Sequence, residues 1–310
     1  MEKESSLLTK SIFVFIILTS FSCATLPKPS DEKITLTAQR LARGKYLVEG
    51  IGVCGGCHTP GSHEGKPLKE KHLAGDSIFI EGLGTINIPN ITPDVQTGIG
   101  GWTDGEIIRA MREGVNKKGE IMFPFMPYPN YRDMSDDDVK AMVAYLRTVP
   151  PVSNKVPKFK LPFPVNIMFW LFSPTPKPVK DVPNPPKDDP VVLGKYLVTI
   201  GACSDCHTPR KGMKQDMSRF MAGGDPHKGY WGTTYASNIT PDKDTGIGNK
   251  TDEEIITILR KGISRPPMSF LSSYYKRVTD NDLKAAVAYL RSIPAIKNNV
   301  PEPKPYPDKK

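Results

Sequence analysis

Cys54-Gly55-Gly56-Cys57-His58 and Cys203-Ser204-Asp205-Cys206-His207 are two copies of one five-residue word. Two thiols three positions apart, followed at once by an imidazole, form the attachment signature of c-type haem. The thiols add across the vinyl groups of the porphyrin, and the adjacent histidine becomes the proximal iron ligand. A zinc clip would need further thiolates or imidazoles at matching spacing, and the chain has none to spare. A thiol–disulfide redox pair has no use for a following histidine, present here twice. The words therefore point to two haem c groups held by Cys54, Cys57, Cys203 and Cys206, with His58 and His207 on iron.

The sixth iron position separates an electron carrier from an enzyme. Methionine is a soft ligand that favours the ferrous state and raises the potential. One methionine-bearing loop in each copy lies late in the domain: Phe123-Pro124-Phe125-Met126-Pro127-Tyr128-Pro129 and Pro266-Pro267-Met268-Ser269-Phe270. Prolines stiffen both loops, which makes Met126 and Met268 the expected ligands. Met122 is a near rival. His72, which aligns with Phe220, would make the first haem bis-histidine. Met213, Met217 and Met221 recur every four residues and suit an apolar pocket wall, while His63 and His227 suit the surface. Thr85 and Thr233, Asn87 and Tyr235, Asn90 and Asn238, with Trp102 or Trp231, either bind haem propionates or belong to a turn fixed by Asn and Pro chemistry.

The elements that must position these residues are also written twice. Gly44-Lys45-Tyr46-Leu47-Val48 recurs as Gly194-Lys195-Tyr196-Leu197-Val198, and Asn90-Ile91-Thr92-Pro93-Asp94 as Asn238-Ile239-Thr240-Pro241-Asp242. Thr97-Gly98-Ile99-Gly100 returns as Thr245-Gly246-Ile247-Gly248, and Ala144-Tyr145-Leu146-Arg147 as Ala288-Tyr289-Leu290-Arg291. The offset drifts only from 150 to 144 residues. Thr103 with Glu106, and Thr251 with Glu254, predict capping boxes. Helices then follow until Gly114 and Gly262. A weaker box, Ser135/Asp138 or Thr279/Asp282, opens a last helix that Pro150 or Pro294 stops. A first helix is expected over 37–49 and 191–199. Gly44 and Gly194 either let it approach the last helix closely or merely mark a turn. Sustained strand alternation is absent, so the expected fold is mainly α, in two tandem domains each wrapped on a haem.

The expected layout is a signal segment over 1–23, a tether over 24–35 and a first domain over 36–150. A Pro-rich connector follows over 151–189, then a second domain over 190–295 and a tail over 296–310. The run Ile12–Leu18 is too short to span a bilayer. It ends on Cys23, a loose bacterial lipobox whose acylation would anchor the protein; cleavage after Ala24 is the alternative. The other four of the five cysteines stand in the two words. The connector gathers many of the 31 prolines around Ile167-Met168-Phe169-Trp170-Leu171-Phe172. Packing across the two domains is its expected role, and an exposed patch for a partner or membrane the alternative. Haem propionates lower the formal charge of +9 by about two to four units. A mildly basic protein remains, suited to acidic partner surfaces or anionic headgroups. Dispersed lysines without an aromatic-laced basic stripe exclude a nucleic-acid reader.

From Leu36 to Pro294 the chain resembles dihaem c-type cytochromes built of two class I modules. It is especially similar to the cytochrome subunits of periplasmic alcohol, aldehyde and sugar-acid dehydrogenases. The resemblance rests on the haem words, the Asn-Ile-Thr-Pro and Thr-Gly-Ile-Gly segments and the Met-Pro-Tyr-Pro loop. It implies axial pairs His58/Met126 and His207/Met268. It also implies a carrier in the bacterial periplasm between a dehydrogenase or quinol-oxidising donor and a cytochrome or oxidase acceptor. A dihaem peroxidase is the alternative. Those subunits often carry a third haem word, absent here, and the second methionine loop lacks the Pro-Tyr-Pro continuation.

Overall fold

Thr37 opens the first helix because its hydroxyl accepts from the Arg40 amide at 3.2 Å, satisfying a donor that has no partner inside the helix. A computed structural model describes residues 26–80, 84–212, 214–229, 231–262 and 266–304. The expected signal segment, Cys23, Ala24 and Met213 lie outside them. Helix α1 (Ala38–Tyr46) runs into a π-type turn over Leu47–Ile51. Val53 then takes a left-handed φ of 47°, which turns the chain into the short helix α2 (Cys54–His58). Such a backbone costs a non-glycine residue about 1 kcal/mol, and Ala202 repeats it at 52°.

A hairpin follows, β1 (Asp76–Ile80) with β2 (Gly84–Ile88), antiparallel with Ile78 opposite Ile86. Then come α3 (Asp104–Glu113), α4 (Tyr128–Tyr131) and α5 (Asp136–Leu146), and in the connector α6 (Val165–Phe172). The order then returns: α7 (Pro190–Ile200), α8 (Cys203–His207), hairpin β3 (Arg210–Lys211)/β4 (Lys214–Gln215), hairpin β5 (Pro226–Gly229)/β6 (Gly232–Tyr235), α9 (Asp252–Lys261), α10 (Met268–Tyr275) and α11 (Asp280–Ser292). Both predicted capping boxes close, with Thr103 and Thr251 accepting from the amides three residues on. The three hairpins depart from the strand-free expectation. Their strands hold two to five residues, too few for alternation to stand out in a sequence window.

Helix α1 lies along α5, and α7 along α11. A Cβ at Gly44 would sit 1.9 Å from the Ala141 carbonyl oxygen, and one at Gly194 would sit 1.9 Å from that of Ala285. Both glycines are therefore close-approach residues rather than turn formers. Each crossing seals a core. That of the first half, with Leu47, Leu73, Met134, Met142 and Val143, continues into Leu197, Ile200, Val278 and Leu283 of the second. A smaller cluster gathers Val198, Met221 and Val287.

The two halves also exchange a reciprocal polar contact. The Tyr196 hydroxyl donates to Asp138 at 2.6 Å, and the Tyr46 hydroxyl donates to Asp282 at 2.5 Å. Arg43 adds a two-pronged pair to Asp138, both contacts at 2.7 Å. These aspartates sit at the third position of α5 and α11. Ser135 and Thr279 accept from their amides as expected, but the carboxylates turn to the opposite half.

Two expectations about the linking segments are corrected. Residues 27–34 are not a free tether, since Arg109 donates to the Pro27 carbonyl at 3.3 Å and the Ile34 amide donates to Asp104 at 2.9 Å. Among the described residues, the connector's hydrogen bonds run to the first half rather than across the two. Its flanks lie on the first one: Asn154 donates to the Ala74 carbonyl, the Val179 amide to Glu113 and the Asp136 amide to the Val182 carbonyl. Helix α6 stands out from them, with Trp170 78% and Phe172 76% exposed. The halves meet directly through their shared core and tyrosine contacts, which leaves the connector helix no interface to fill.

Two outcomes follow from these contacts. Gly44→Ala or Gly194→Ala is expected to cost at least about 2 kcal/mol in urea unfolding, because backbone rather than a movable side chain blocks the methyl. Gly119→Ala, with nothing within 4 Å, should cost less despite its φ of 78°. Burial, then the bond to Asp282, raises the Tyr46 hydroxyl from 10.0 to about 12. The folded chain thus keeps a proton that the unfolded chain releases, so stability is full below about pH 10 and falls as pH climbs toward 12. Tyr46→Phe should cost about 1 kcal/mol at neutral pH and flatten that alkaline decline; an unaltered slope would refute the linkage.

Candidate haem-attachment sites

The left-handed turns at Val53 and Ala202 deliver each five-residue word as one tight helical turn. Neither glycine of the first word has room for a side chain. A Cβ at Gly55 would lie 2.9 Å from both the His72 ring and the Tyr274 hydroxyl, and one at Gly56 would lie 3.1 Å from Phe270. Tyr274 and Phe270 belong to α10 of the other half. The second word is covered in the same sense, because Asn130 of α4 donates to Asp205 at 2.9 Å. The segment just after each expected methionine ligand thus lies on the other half's word. Tyr131, 4% exposed, donates to the Gly52 carbonyl at 3.2 Å, and its repeat equivalent Tyr275 is also buried.

The imidazoles are oriented identically. His58 Nδ1 lies 2.7 Å from the Pro89 carbonyl oxygen, and His207 Nδ1 lies 2.7 Å from that of Ser237. A carbonyl can only accept, so each Nδ1 carries the proton and each Nε2 keeps its lone pair. Burial lowers the His58 pKa to about 4, and it also lowers that of His207. Both rings are neutral at physiological pH, as a metal ligand must be. The surrounding bonds repeat as well. The Gly75 and Gly223 amides each donate at 2.7 Å to the histidine carbonyl. Thr59 and Thr208 each accept at 3.1 Å from the Leu73 and Met221 amides.

The four cysteines of the two words form no disulfide with one another. Burial pushes Cys54, Cys203 and Cys206 up to about 12 and Cys57 up to about 11. A disulfide-exchange centre needs the opposite, a depressed thiol that ionises near neutrality. Among the described residues, no group of three or more His, Cys, Asp or Glu side chains is gathered to hold a metal ion.

Met126 is half-buried against the shared core, and its carbonyl accepts from the Tyr128 amide at 2.7 Å. Met268 opens α10 and packs against the same core. Met122 is tied by its amide to the Gly114 carbonyl. His72 has both ring nitrogens engaged, with Nε2 2.7 Å from Glu49 and Nδ1 3.2 Å from the Thr59 hydroxyl, beside Gly55. It braces the attachment side of the word. Glu49 also accepts from Tyr145 at 3.2 Å. Burial alone would raise the Glu49 pKa, but His72 and Tyr145 outweigh it and hold the carboxyl below its usual range.

Other readings change. His63 and His227 are half-buried rather than superficial, each with an enclosed Nε2 that meets no protein partner. Met221 is core, whereas Met217 is 61% exposed, so the two do not form one pocket wall. Asn90 fixes a turn: its carbonyl oxygen accepts from the Thr92 amide and hydroxyl, and its amide donates to Thr97 and to the Val152 carbonyl. Asn238 makes the same four bonds to Thr240, Thr245 and Ile296.

A family model described as Cytochrome c matches residues 41–150. A diheme cytochrome c-type protein of Cereibacter sphaeroides is 32% identical over 288 residues, covering 88% of this chain and 92% of that protein. The chain belongs to the cytochrome c family. The cytochrome is also 33% identical over 277 residues to the alcohol dehydrogenase (quinone) cytochrome c subunit of Gluconobacter oxydans, covering 83% of this chain and 55% of that subunit. It is 33% identical over 268 residues to the fructose dehydrogenase cytochrome subunit of Gluconobacter japonicus, with 82% and 53% covered. It spans about half the length of those two subunits. Haem c is the family's cofactor, and the paired thiols with a carbonyl-oriented neutral imidazole fit it. Replacing Cys54 and Cys57 together by Ala is expected to lower the mass of the purified cytochrome by one porphyrin adduct and leave the other in place.

Proposed function

We propose that this cytochrome carries two haems c and relays single electrons from a periplasmic dehydrogenase or quinol-oxidising complex to a cytochrome or oxidase acceptor. Cys54 and Cys57 hold one haem and Cys203 and Cys206 the other, with axial pairs His58/Met126 and His207/Met268. The chain sits in the bacterial periplasm, anchored through acylated Cys23. The observation that carries this reading is the duplicated imidazole geometry, with each Nδ1 2.7 Å from a backbone carbonyl behind a C-x-x-C turn.

When bound, haem iron supplies a one-electron couple. The residues of the chain keep it from doing more. His58 and His207, their ring planes pinned by Pro89 and Ser237, keep their Nε2 lone pairs facing away from the carbonyls. Met126 in its proline-rich loop and Met268, first residue of α10 after Pro266-Pro267, are both backed by the shared core, which resists ligand loss. Phe270 and Tyr274 of the second half lie against the first word, and Asn130 of the first half bonds Asp205 in the second. The dehydrogenase relatives, named for their cytochrome subunits, support a dehydrogenase as donor.

Visible spectroscopy tests the reading. The ferric protein should be low-spin at both haems, with the weak red band of methionine–iron bonds. Met126→Leu and Met268→Leu should each remove about half of that band, while His72→Gln leaves it unchanged. A high-spin haem in the wild-type protein with rapid peroxide turnover would favour a peroxidase instead. Pigment released by acid extraction would overturn covalent attachment.

A further inference from the structure

We propose that α6 is an interfacial helix that docks the cytochrome on an anionic bilayer surface. The helix reads Val-Asn-Ile-Met-Phe-Trp-Leu-Phe and carries no charge. Only its Val165 and Phe169 face partly inward. The Phe169 ring packs on Phe123 at 5.4 Å between centroids, and Phe123 packs on Phe159 at 6.0 Å. This aromatic stack bolts the helix to the first half. Ile167, Met168, Trp170, Leu171 and Phe172 are left facing solvent, with Phe163 beside them 79% exposed. Soluble surfaces rarely leave so many large apolar side chains together without use.

The occupant is identified by charge and shape. Residues 150–180 contain five lysines and no Asp or Glu. Lys155, Lys158 and Lys160 precede the helix, Lys177 and Lys180 follow it, and all five are exposed. Lys158 reaches Glu120 of the first half at 3.7 Å, and both side chains remain largely in water. A protein partner would require a face of about 800 Å² with a hydrogen bond for every 100–200 Å². An eight-residue helix is about 12 Å long, and its outward face offers one amide, Asn166. A headgroup–acyl boundary asks for no such bonds. It accepts apolar side chains over a shallow depth, favours tryptophan at the interface and attracts flanking lysines through anionic lipid. The helix is too short to cross, and among the described residues no helix is long and apolar enough to span a membrane. It therefore lies in the membrane plane. The inference is independent of the iron-ligand assignments.

Photo-crosslinking of the full haem-loaded chain tests it. p-Benzoylphenylalanine replaces Trp170, or, as a control, the exposed Lys284 of α11. Each protein is irradiated with vesicles of phosphatidylcholine alone, with vesicles also containing phosphatidylglycerol, and in cell envelopes. Position 170 is expected to yield at least about tenfold more phospholipid adduct than position 284, most of it with the anionic vesicles and less at high salt. Adducts at 170 that are chiefly protein, or lipid adducts no more abundant than at 284, would overturn the proposal. Equal yields with neutral and anionic vesicles would overturn its electrostatic part. Trp170→Ser with Phe172→Ser gives a second readout. Because both side chains already face water, the variant should keep its thermal midpoint and haem spectrum, and it should lose at least about tenfold in vesicle binding relative to the same chain without the changes.

Discussion

The fold depends on two places where one helix backbone touches another. Gly44 meets Ala141, and Gly194 meets Ala285, at separations that leave no space for a methyl group. This contact brings α1 against α5 and α7 against α11. It thereby sets where the chain leaves the first helix of each half, and so where each C-x-x-C-H turn begins. Everything downstream inherits that position, including the Thr59 and Thr208 hydroxyls and the carbonyls that orient the imidazoles. A larger residue would separate the helices by a distance that no rotamer could absorb, because the opposing atoms are main chain.

The two halves are also supports for each other. Tyr46 and Tyr196 each cross to cap the last helix of the other half. The α4 and α10 segments each cross to cover the other half's cysteine turn. Duplication explains how such an arrangement is encoded: one set of residues, repeated and packed face to face, makes the tyrosine–aspartate contact twice. Departures from the repeat are then informative. His72 bonds Glu49 and Thr59 beside the first turn, while the matching Phe220 packs its ring on the core of the second half. Gly55 and Gly56 yield to α10, whereas Asp205 in the second turn accepts a bond from Asn130.

The connector shows how an apolar run can mislead. Six consecutive large hydrophobic residues between two domains suggest interdomain packing, since burial is their usual fate. The halves had already filled their mutual surface with Leu47, Ile200, Val278 and the crossing tyrosines. What remained for the connector was the outside of the first half. Its helix turns Val165 and the Phe169 ring inward, which leaves Trp170 and Phe172 turned outward.

Much of this protein is local, and its sequence alone determined those parts. The cysteine words, the capping boxes, the repeat and the helical periodicity depend on residues within a few positions of one another, and spacing encodes them directly. The close-approach role of Gly44 and Gly194 was half legible, since a repeated glycine inside a helix needs a reason but does not name one. The tertiary structure alone decided the rest. It engaged both ring nitrogens of His72, enclosed His63 and His227, turned Asp138 and Asp282 toward the opposite half and left α6 exposed. Each of these is set by what a distant segment places beside the residue, and no pattern within one short stretch of chain carries that information.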